Sequence, residues 1–195
     1  SEMFSSPLLF DIDNYKQDLK KLTEKCDKVT FVRSGNKVFM KTLISGLFKK
    51  PKEIPVDLAF PIVHGTNCED GTMAGYFEFL DLPYISCDIV SAAVGMDKAV
   101  FKSVLKSAGL PVLDCIVFRS REYAANKQSI LDKLSENIGF PMIIKPANLG
   151  SSVGITKVTS FSELDSAIML ACSFAEKILA ERAVTDLREI NCSVL

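Results

Sequence analysis

Met142-Ile143-Ile144-Lys145-Pro146-Ala147-Asn148-Leu149-Gly150-Ser151-Ser152-Val153-Gly154-Ile155 decides how this 195-residue chain is read. Apolar residues lead into a lysine, a polar loop of small residues follows, and a second extended run covers Val153 to Val158. β-Branched residues dominate both runs, which predicts two antiparallel strands joined by a flap. Gly150 and Gly154 would let the backbone approach a ligand closely, and Ser151 and Ser152 add hydroxyl and amide donors. With the fixed charge of Lys145 beside them, these donors suit a polyphosphate. A Gly/Ser hairpin tip that binds nothing has the same local composition. The stretch is not a P-loop, because no G-x-x-x-x-G-K-[ST] is present and a strand, not a helix, follows; nor does G-x-G-x-x-G occur.

Composition narrows the partners. Apolar residues make up 48% and charged residues 24%, an ordinary globular balance. The net charge of −1 without a basic run argues against nucleic acid as a partner. No apolar stretch reaches membrane-spanning length and no signal peptide opens the chain, so no membrane partner is expected. Cysteines at 26, 68, 87, 115, 172 and 192 lack C-x-x-C spacing, which fits reduced thiols in a cytoplasmic protein. With His64 the one histidine, a zinc site is not expected.

Upstream of the flap, Asn14 could cap a short helix through Lys25, and Val29–Val32 with Val38–Leu43 reads as a hairpin across Ser34-Gly35-Asn36. Val56 to Val63 has the look of a buried strand, ending at His64-Gly65. In the loop that follows, Asp70 is a plausible N-cap for a helix carrying Met73, Tyr76, Phe77 and Leu80. His64, Glu69 and Asp70 thus gather at a strand's carboxyl end over a helix N-terminus, where open α/β folds bind ligands. Taken alone, His64 is better read as a histidine bonded to its own loop. Tyr84-Ile85-Ser86 reads as a short strand and Asp88–Ala93 as a short helix.

A further helix starts at Gly95-Met96-Asp97-Lys98, with Phe101, Val104, Leu105 and Ala108 on one face and Gly109 and Pro111 as its stop. Lys98 in a first turn opposes the helix dipole by roughly a few tenths of a kcal/mol, a penalty that a bound phosphate would reverse. Beyond it the pattern predicts a strand over Val112–Phe118, a helix from Ser120 to about Asn137, and the Lys145 strand. After the flap come a Ser160/Glu163 capping box on a helix through Phe174, a strand over Glu176–Val184, and another beginning over Arg188–Leu195. Ile190, Cys192 and Val194 would share one face of that last strand.

The string K-P-x-x-x-G-S-S-V-G-I from Lys145 resembles the phosphate loop of the ATP-grasp ligases, and of the D-alanine–D-alanine ligases in particular. H-G-x-x-x-E-D-G-T from His64 resembles a second signature of that family, and M-D-K at Met96–Lys98 resembles its lysine-bearing helix start. The resemblance is strong from about Leu58 onward. It implies an α/β and α+β chain: an incomplete Rossmann-like pre-ATP-grasp domain over residues 1–94, the first ATP-grasp lobe with its phosphate flap over 95–175, and the start of the second lobe over 176–195. The family's opening G-G-x-S-x-E pattern is not found, so a fragment is expected, lacking the first amino-terminal unit and most of the second lobe.

The resemblance also implies residue roles. His64 and Glu69 would border the first D-alanine, with His64 and Ser151 taking part in catalysis. Lys98 and Lys145 would hold ATP phosphates, under Ser151, Ser152 and Val153 of the flap. Glu181, Arg182, Ala183 and Val184 would contact the adenine, and Glu189 the ribose. Read by pattern alone, those last residues are an ordinary pair of alternating strands. The implied reaction activates a D-alanine carboxylate as an acyl phosphate, which the amine of a second D-alanine then attacks to give a peptidoglycan precursor. Mg2+ would be required, its ligands lying outside this chain. A cytoplasmic homodimer is implied as well. The alternatives are a D-alanine–D-serine or D-lactate ligase of vancomycin-resistance type, and a nucleotide-binding or structural fragment without turnover.

Overall fold

Two four-stranded antiparallel sheets organise the chain, each in its own unit: Ser1–Val63 with Thr72–Asp88, and His64–Gly71 with Ile89–Leu195. The structure is a computed structural model and describes residues 2–16, 18–43 and 50–192.

In the first unit, β1 (Met3–Ser5), β2 (Asp27–Ser34), β3 (Lys37–Thr42) and β4 (Glu53–Val56) form a meander in chain order. Gly35, at φ +63, takes the first central position of the β2–β3 turn, where a two-residue hairpin loop favours glycine. A helix, α1 (Leu19–Thr23), precedes β2; Asp18 caps it, whereas Asn14 lies in a short 3-10 turn and bonds the Leu8 carbonyl. α2 (Thr72–Phe79) packs Phe77 with Val38, Leu80 and Leu82, and the rings of Phe31, Tyr76 and Tyr84 surround Phe77.

The strand expected over Val56–Val63 is reduced to its first residue, the end of β4, and one parallel bridge between Ala59 and Tyr84. Leu58, Phe60 and Ile62 are 52%, 67% and 79% exposed, so burial does not hold this run as a sheet strand, and Pro61 has no N–H to give a ladder. The strand expected at Tyr84–Ser86 is the other side of that bridge. The parallel pairing of a Rossmann-like layer is confined, among the described residues, to this one contact.

The second unit begins with α3 (Ile89–Met96) and α4 (Lys98–Ser107), continues through β5 (Cys115–Arg119), α5 (Ser120–Ala125) and α6 (Lys127–Asn137) to β6 (Met142–Pro146), and closes with β7 (Thr156–Val158), α7 (Phe161–Phe174) and β8 (Lys177–Arg182). The sheet order is β5-β8-β6-β7, so the last strand enters between earlier ones. Period-two alternation sends Met142 and Ile144 of β6, with Ile178 and Ala180 of β8, into a core with Leu134, Leu164 and Ile168 from the helices. Leu134, Leu164 and Ile168 are fully buried, each contributing about 1.5–3 kcal/mol. The opposite face carries Ile143 and Lys145 of β6 and Lys177, Leu179 and Glu181 of β8, and that face builds the site.

Several boundaries differ from the sequence reading. The helix after Ser120 is broken at Asn126, whose φ of −135 is not helical, and the Ser120 hydroxyl bonds Glu176 instead of capping. Ser160 occupies the N-cap of α7, but its hydroxyl meets Ser162; Glu163 accepts from the Thr159 N–H at 2.8 Å. β7 starts at Thr156, because residues 151–154 turn. Residues 183–192 form no strand, and Ser193, Val194 and Leu195, the end of the strand expected from Arg188, lie outside the described residues.

Candidate nucleotide site

Asp97 sets the position of Lys98. Its Oδ1 accepts from the N–H groups of Ala99 and Val100 at 3.0 and 3.2 Å, starting α4, and its Oδ2 lies 2.7 Å from Lys177 Nζ on β8. Burial alone would raise the Asp97 pKa; Lys177 and the helix N–H groups outweigh it and hold the carboxyl below its ordinary value. The Lys98 N–H donates to the Ala147 carbonyl at 2.8 Å, and its ammonium bonds the Leu149 carbonyl inside the flap. Burial, then the nearby charge of Lys145, pushes the Lys98 pKa down, so the two lysines share one electrostatic space.

The helix face expected from Phe101 and Val104 does not form a core: they are 43% and 49% exposed, and no residue of α4 is fully buried. The side of α4 in contact with the sheet face is polar instead. It carries Lys102, whose Nζ donates to the Leu113 carbonyl at 2.9 Å and stands 2.7 Å from Glu181 Oε2.

Glu181 is the centre of this face. Only 7% exposed, it accepts a hydrogen bond from Lys145 on Oε1, while Oε2 is buried and, despite the nearby Lys102 ammonium, lacks a hydrogen bond of proper geometry. Burial would raise the Glu181 pKa, but contact with Lys102 and Lys145 outweighs it and keeps the carboxylate ionised. An ionised, acceptor-only carboxylate on this face fits an N–H donor such as a purine amino group.

The flap offers donors. Ser151 and Ser152 sit at φ +52 and +57, in the left-handed region that L-residues rarely occupy. Both are exposed, and among the described residues neither their N–H groups nor their hydroxyls make a hydrogen bond. Successive free N–H groups in a turn form an anion-binding concavity. Val153 is 42% exposed beside them. Gly154, at φ +69, is required by its neighbours: a Cβ there would lie 2.9 Å from the Phe174 ring and 3.0 Å from Pro146 Cγ. Gly150 is not, since a Cβ would meet nothing within 4 Å.

His64 and Glu69 are brought together, with Nδ1 to Oε1 at 3.7 Å, and Glu69 Oε2 accepts from the Gly65 N–H at 2.6 Å. Asp70 accepts from the Asn67 N–H at 2.8 Å. Among the described residues the polar contacts of His64 and Glu69 stay within their own loop, and the imidazole is largely exposed. At the end of β8, Arg182 reaches back to the Ile138 carbonyl at 3.4 Å; beyond it Ala183 is buried with its N–H on the Pro141 carbonyl, and Val184 is half-exposed. Glu189 is exposed outside regular structure. Among the described residues no three His, Cys, Asp or Glu side chains come together to hold a metal ion.

Residues 7–87 match the family model described as the D-ala D-ala ligase N-terminus, and residues 104–195 the D-ala D-ala ligase C-terminus. This chain belongs to the D-alanine–D-alanine ligase family. It is 48% identical over 141 residues to a D-alanine–D-alanine ligase of Thermoanaerobacter sp. (strain X514), covering 72% of this chain and 38% of that protein. It is 40% identical over 144 residues to the corresponding ligase of Heliobacterium modesticaldum, covering 74% and 39%. Among solved structures it is similar to the D-alanine–D-alanine ligase of Helicobacter pylori, with a TM-score of 0.74 at 26% identity over 90% of this chain and 49% of that one. It is also similar to the VanG D-Ala:D-Ser ligase of Enterococcus faecalis, with a TM-score of 0.71 at 27% identity over 94% and 50%. The chain thus spans about two fifths of the curated relatives and about half of the solved ones.

Likeness to the D-alanine–D-alanine ligase family begins at residue 7, well before Leu58, where the motif strings first become readable. The mixed helix-and-sheet architecture agrees with the ATP-grasp fold of these ligase structures. Lys98 and Lys102 fall between the two matched ranges. Sequence reasoning found the first through M-D-K and missed the second, together with Lys177. The available signal was the one-turn spacing of Lys98 and Lys102, which places both on one side of α4.

Proposed function

We propose that this chain forms part of an ATP-dependent carboxylate–amine ligase that joins two D-alanines through an acyl phosphate to make a peptidoglycan precursor. One observation carries the reading: Lys98 of α4 and Lys145 of β6 share one electrostatic space beside a flap whose Ser151 and Ser152 donors are free among the described residues. Two fixed cations and a concavity of N–H groups suit the α/β- and γ-phosphates, and they would stabilise charge that develops during phosphoryl transfer. The flap residues Ser151, Ser152 and Val153 would exclude water from the acyl phosphate. Ser151 joins the catalytic hydrogen bonding; His64 and Glu69 take the first D-alanine. Glu181 receives the adenine amino group, Arg182, Ala183 and Val184 line the base, and Glu189 holds the ribose. Magnesium would be held by residues beyond those described.

This reading keeps the division into an amino-terminal substrate domain (1–94), the first ATP-grasp lobe (95–175) and the start of the second (176–195), and places a homodimer in the cytoplasm. A D-alanine–D-serine specificity is a second reading, supported by the similarity to the VanG D-Ala:D-Ser ligase. By itself the chain binds ATP weakly or not at all and turns nothing over, since it covers only about half of the solved relatives. Titrating ATP with magnesium, then adding D-alanine and following phosphate release, tests these statements. D-alanine-dependent hydrolysis by these 195 residues would refute the last one. A longer protein containing them that binds no ATP would refute the nucleotide site.

A further inference from the structure

Glu181 holds more positive charge than its proposed task needs. Two lysines meet one carboxylate, Lys145 on Oε1 and Lys102 2.7 Å from Oε2, and all three side chains are largely buried at 15%, 18% and 10% exposure. The two cations arrive from different elements. Lys145 comes from β6, beside Glu181 in the sheet register, where Ile143 pairs with Glu181 and Lys145 with Leu179. Lys102 comes down from α4, and its ammonium is anchored a second time by the Leu113 carbonyl. Lys145 stands at the mouth of the flap and has a second proposed partner in the nucleotide phosphate. Lys102 has none: its partners are Glu181 and a backbone carbonyl.

We propose that Lys102 is a positioning residue for base selection, a standing counter-ion that holds the Glu181 carboxylate ionised and in place when Lys145 turns to the phosphate. The sequence of exchange is simple. Lys145 leaves Oε1 for the phosphate, which frees one carboxylate oxygen. That oxygen accepts from the amino group of a 6-aminopurine. Without Lys102 the carboxylate would be buried with no cation, and it would rotate away or take up a proton. A protonated carboxyl can donate to the 6-oxo group of hypoxanthine, so discrimination between the bases would fall. The groups facing Glu181 are Lys102 of α4, Lys145 of β6, the more distant Lys98, and Cys115 of β5, whose thiol is held neutral by burial.

The inference rests on the reading of Glu181 as the base-facing residue, and the test separates the two. Dissociation constants for ATP and inosine triphosphate with magnesium are measured for the longest available form of the protein and for its Lys102→Met, Lys102→Arg and Glu181→Gln variants. Each variant is first checked for a cooperative unfolding transition, and Glu181→Asp replaces the amide if that does not fold. The expected result is a preference for ATP that falls at least threefold in K102M, returns in K102R and falls in the Glu181 variant. Unchanged preference in K102M alongside a fall in the Glu181 variant overturns the role of Lys102 alone. Unchanged preference in the Glu181 variant, or no binding of either nucleotide by the parent protein, overturns the base-facing reading and the inference with it.

Discussion

Lys177 on β8 and Asp97 at the start of α4 meet at 2.7 Å, so one aspartate both caps a helix and ties it to the sheet. The tie fixes where α4 begins, and therefore where the Lys98 ammonium stands. Asp97→Ala loses the cap and the ion pair together and should cost about 1–2 kcal/mol in denaturant unfolding. Asp97→Asn keeps an acceptor for the helix N–H groups and should cost about half of that. Equal losses for the two variants would mean that the ion pair, not the cap, dominates.

Acid should loosen the unit that carries the site. Asp97 and Glu181 both have folded pKa values below their ordinary ones, because lysines favour the charged forms. A depressed carboxylate stabilises fully above its unfolded pKa, about 4, and the contribution disappears as pH falls through the lower folded value. The melting temperature should therefore drop as pH is taken from about 5 towards 3. Glu181→Gln should flatten that dependence and lower stability at neutral pH by about 3 kcal/mol, because two lysines then face each other without an anion. An unchanged acid profile in this variant would remove Glu181 from the account.

The flap glycines should behave differently. Gly154→Ala meets the Phe174 ring at 2.9 Å and must hold a left-handed backbone, so a loss of about 2–3 kcal/mol is expected in thermal or denaturant unfolding. Gly150→Ala meets open space, and its stability should stay within about 0.5 kcal/mol of the parent. A stability loss at Gly150 matching that at Gly154 would contradict the open environment.

Ser151 should outweigh Ser152 in the chemistry. In a complete ligase containing this chain, Ser151→Ala is expected to lower turnover about 100-fold, the scale of removing one donor to developing charge. Ser152→Ala should leave its hydroxyl-independent backbone donor and cost only a few-fold. Undiminished turnover in the Ser151 variant would reverse this order.

Local signals were legible in the sequence. The strands flanking Lys145, the Asp97 start of α4 and the β2–β3 hairpin each depend on residues within a few positions of one another. The errors fall where a distant partner decides. The apolar run after Val56 reads as a buried strand whether or not neighbours exist, and here it meets only Tyr84. Phe101 and Val104 looked like a core face, but Asp97–Lys177 and Lys102–Glu181 turn the polar side of α4 to the sheet. Those partners lie on β8, far along the chain. Short Met3–Ser5 and the proline within Glu53–Val56 gave too little pattern to mark strands.

The brevity of β7 bears on how this unit would be cut. Between Pro146 and Thr156 the chain leaves the strand ladder, with Asn148, Gly150, Ser151, Ser152 and Val153 all exposed. A protease would find its substrate there before it found one in the sheet. A nick at that point leaves β6 locked beside β8 and leaves β7 anchored through fully buried Val158, so both pieces stay together. The cut protein would keep its fold and its melting behaviour while the Ser151–Ser152 donors drifted apart. Protection of that one bond by a nucleotide would then report occupancy of the site without any turnover.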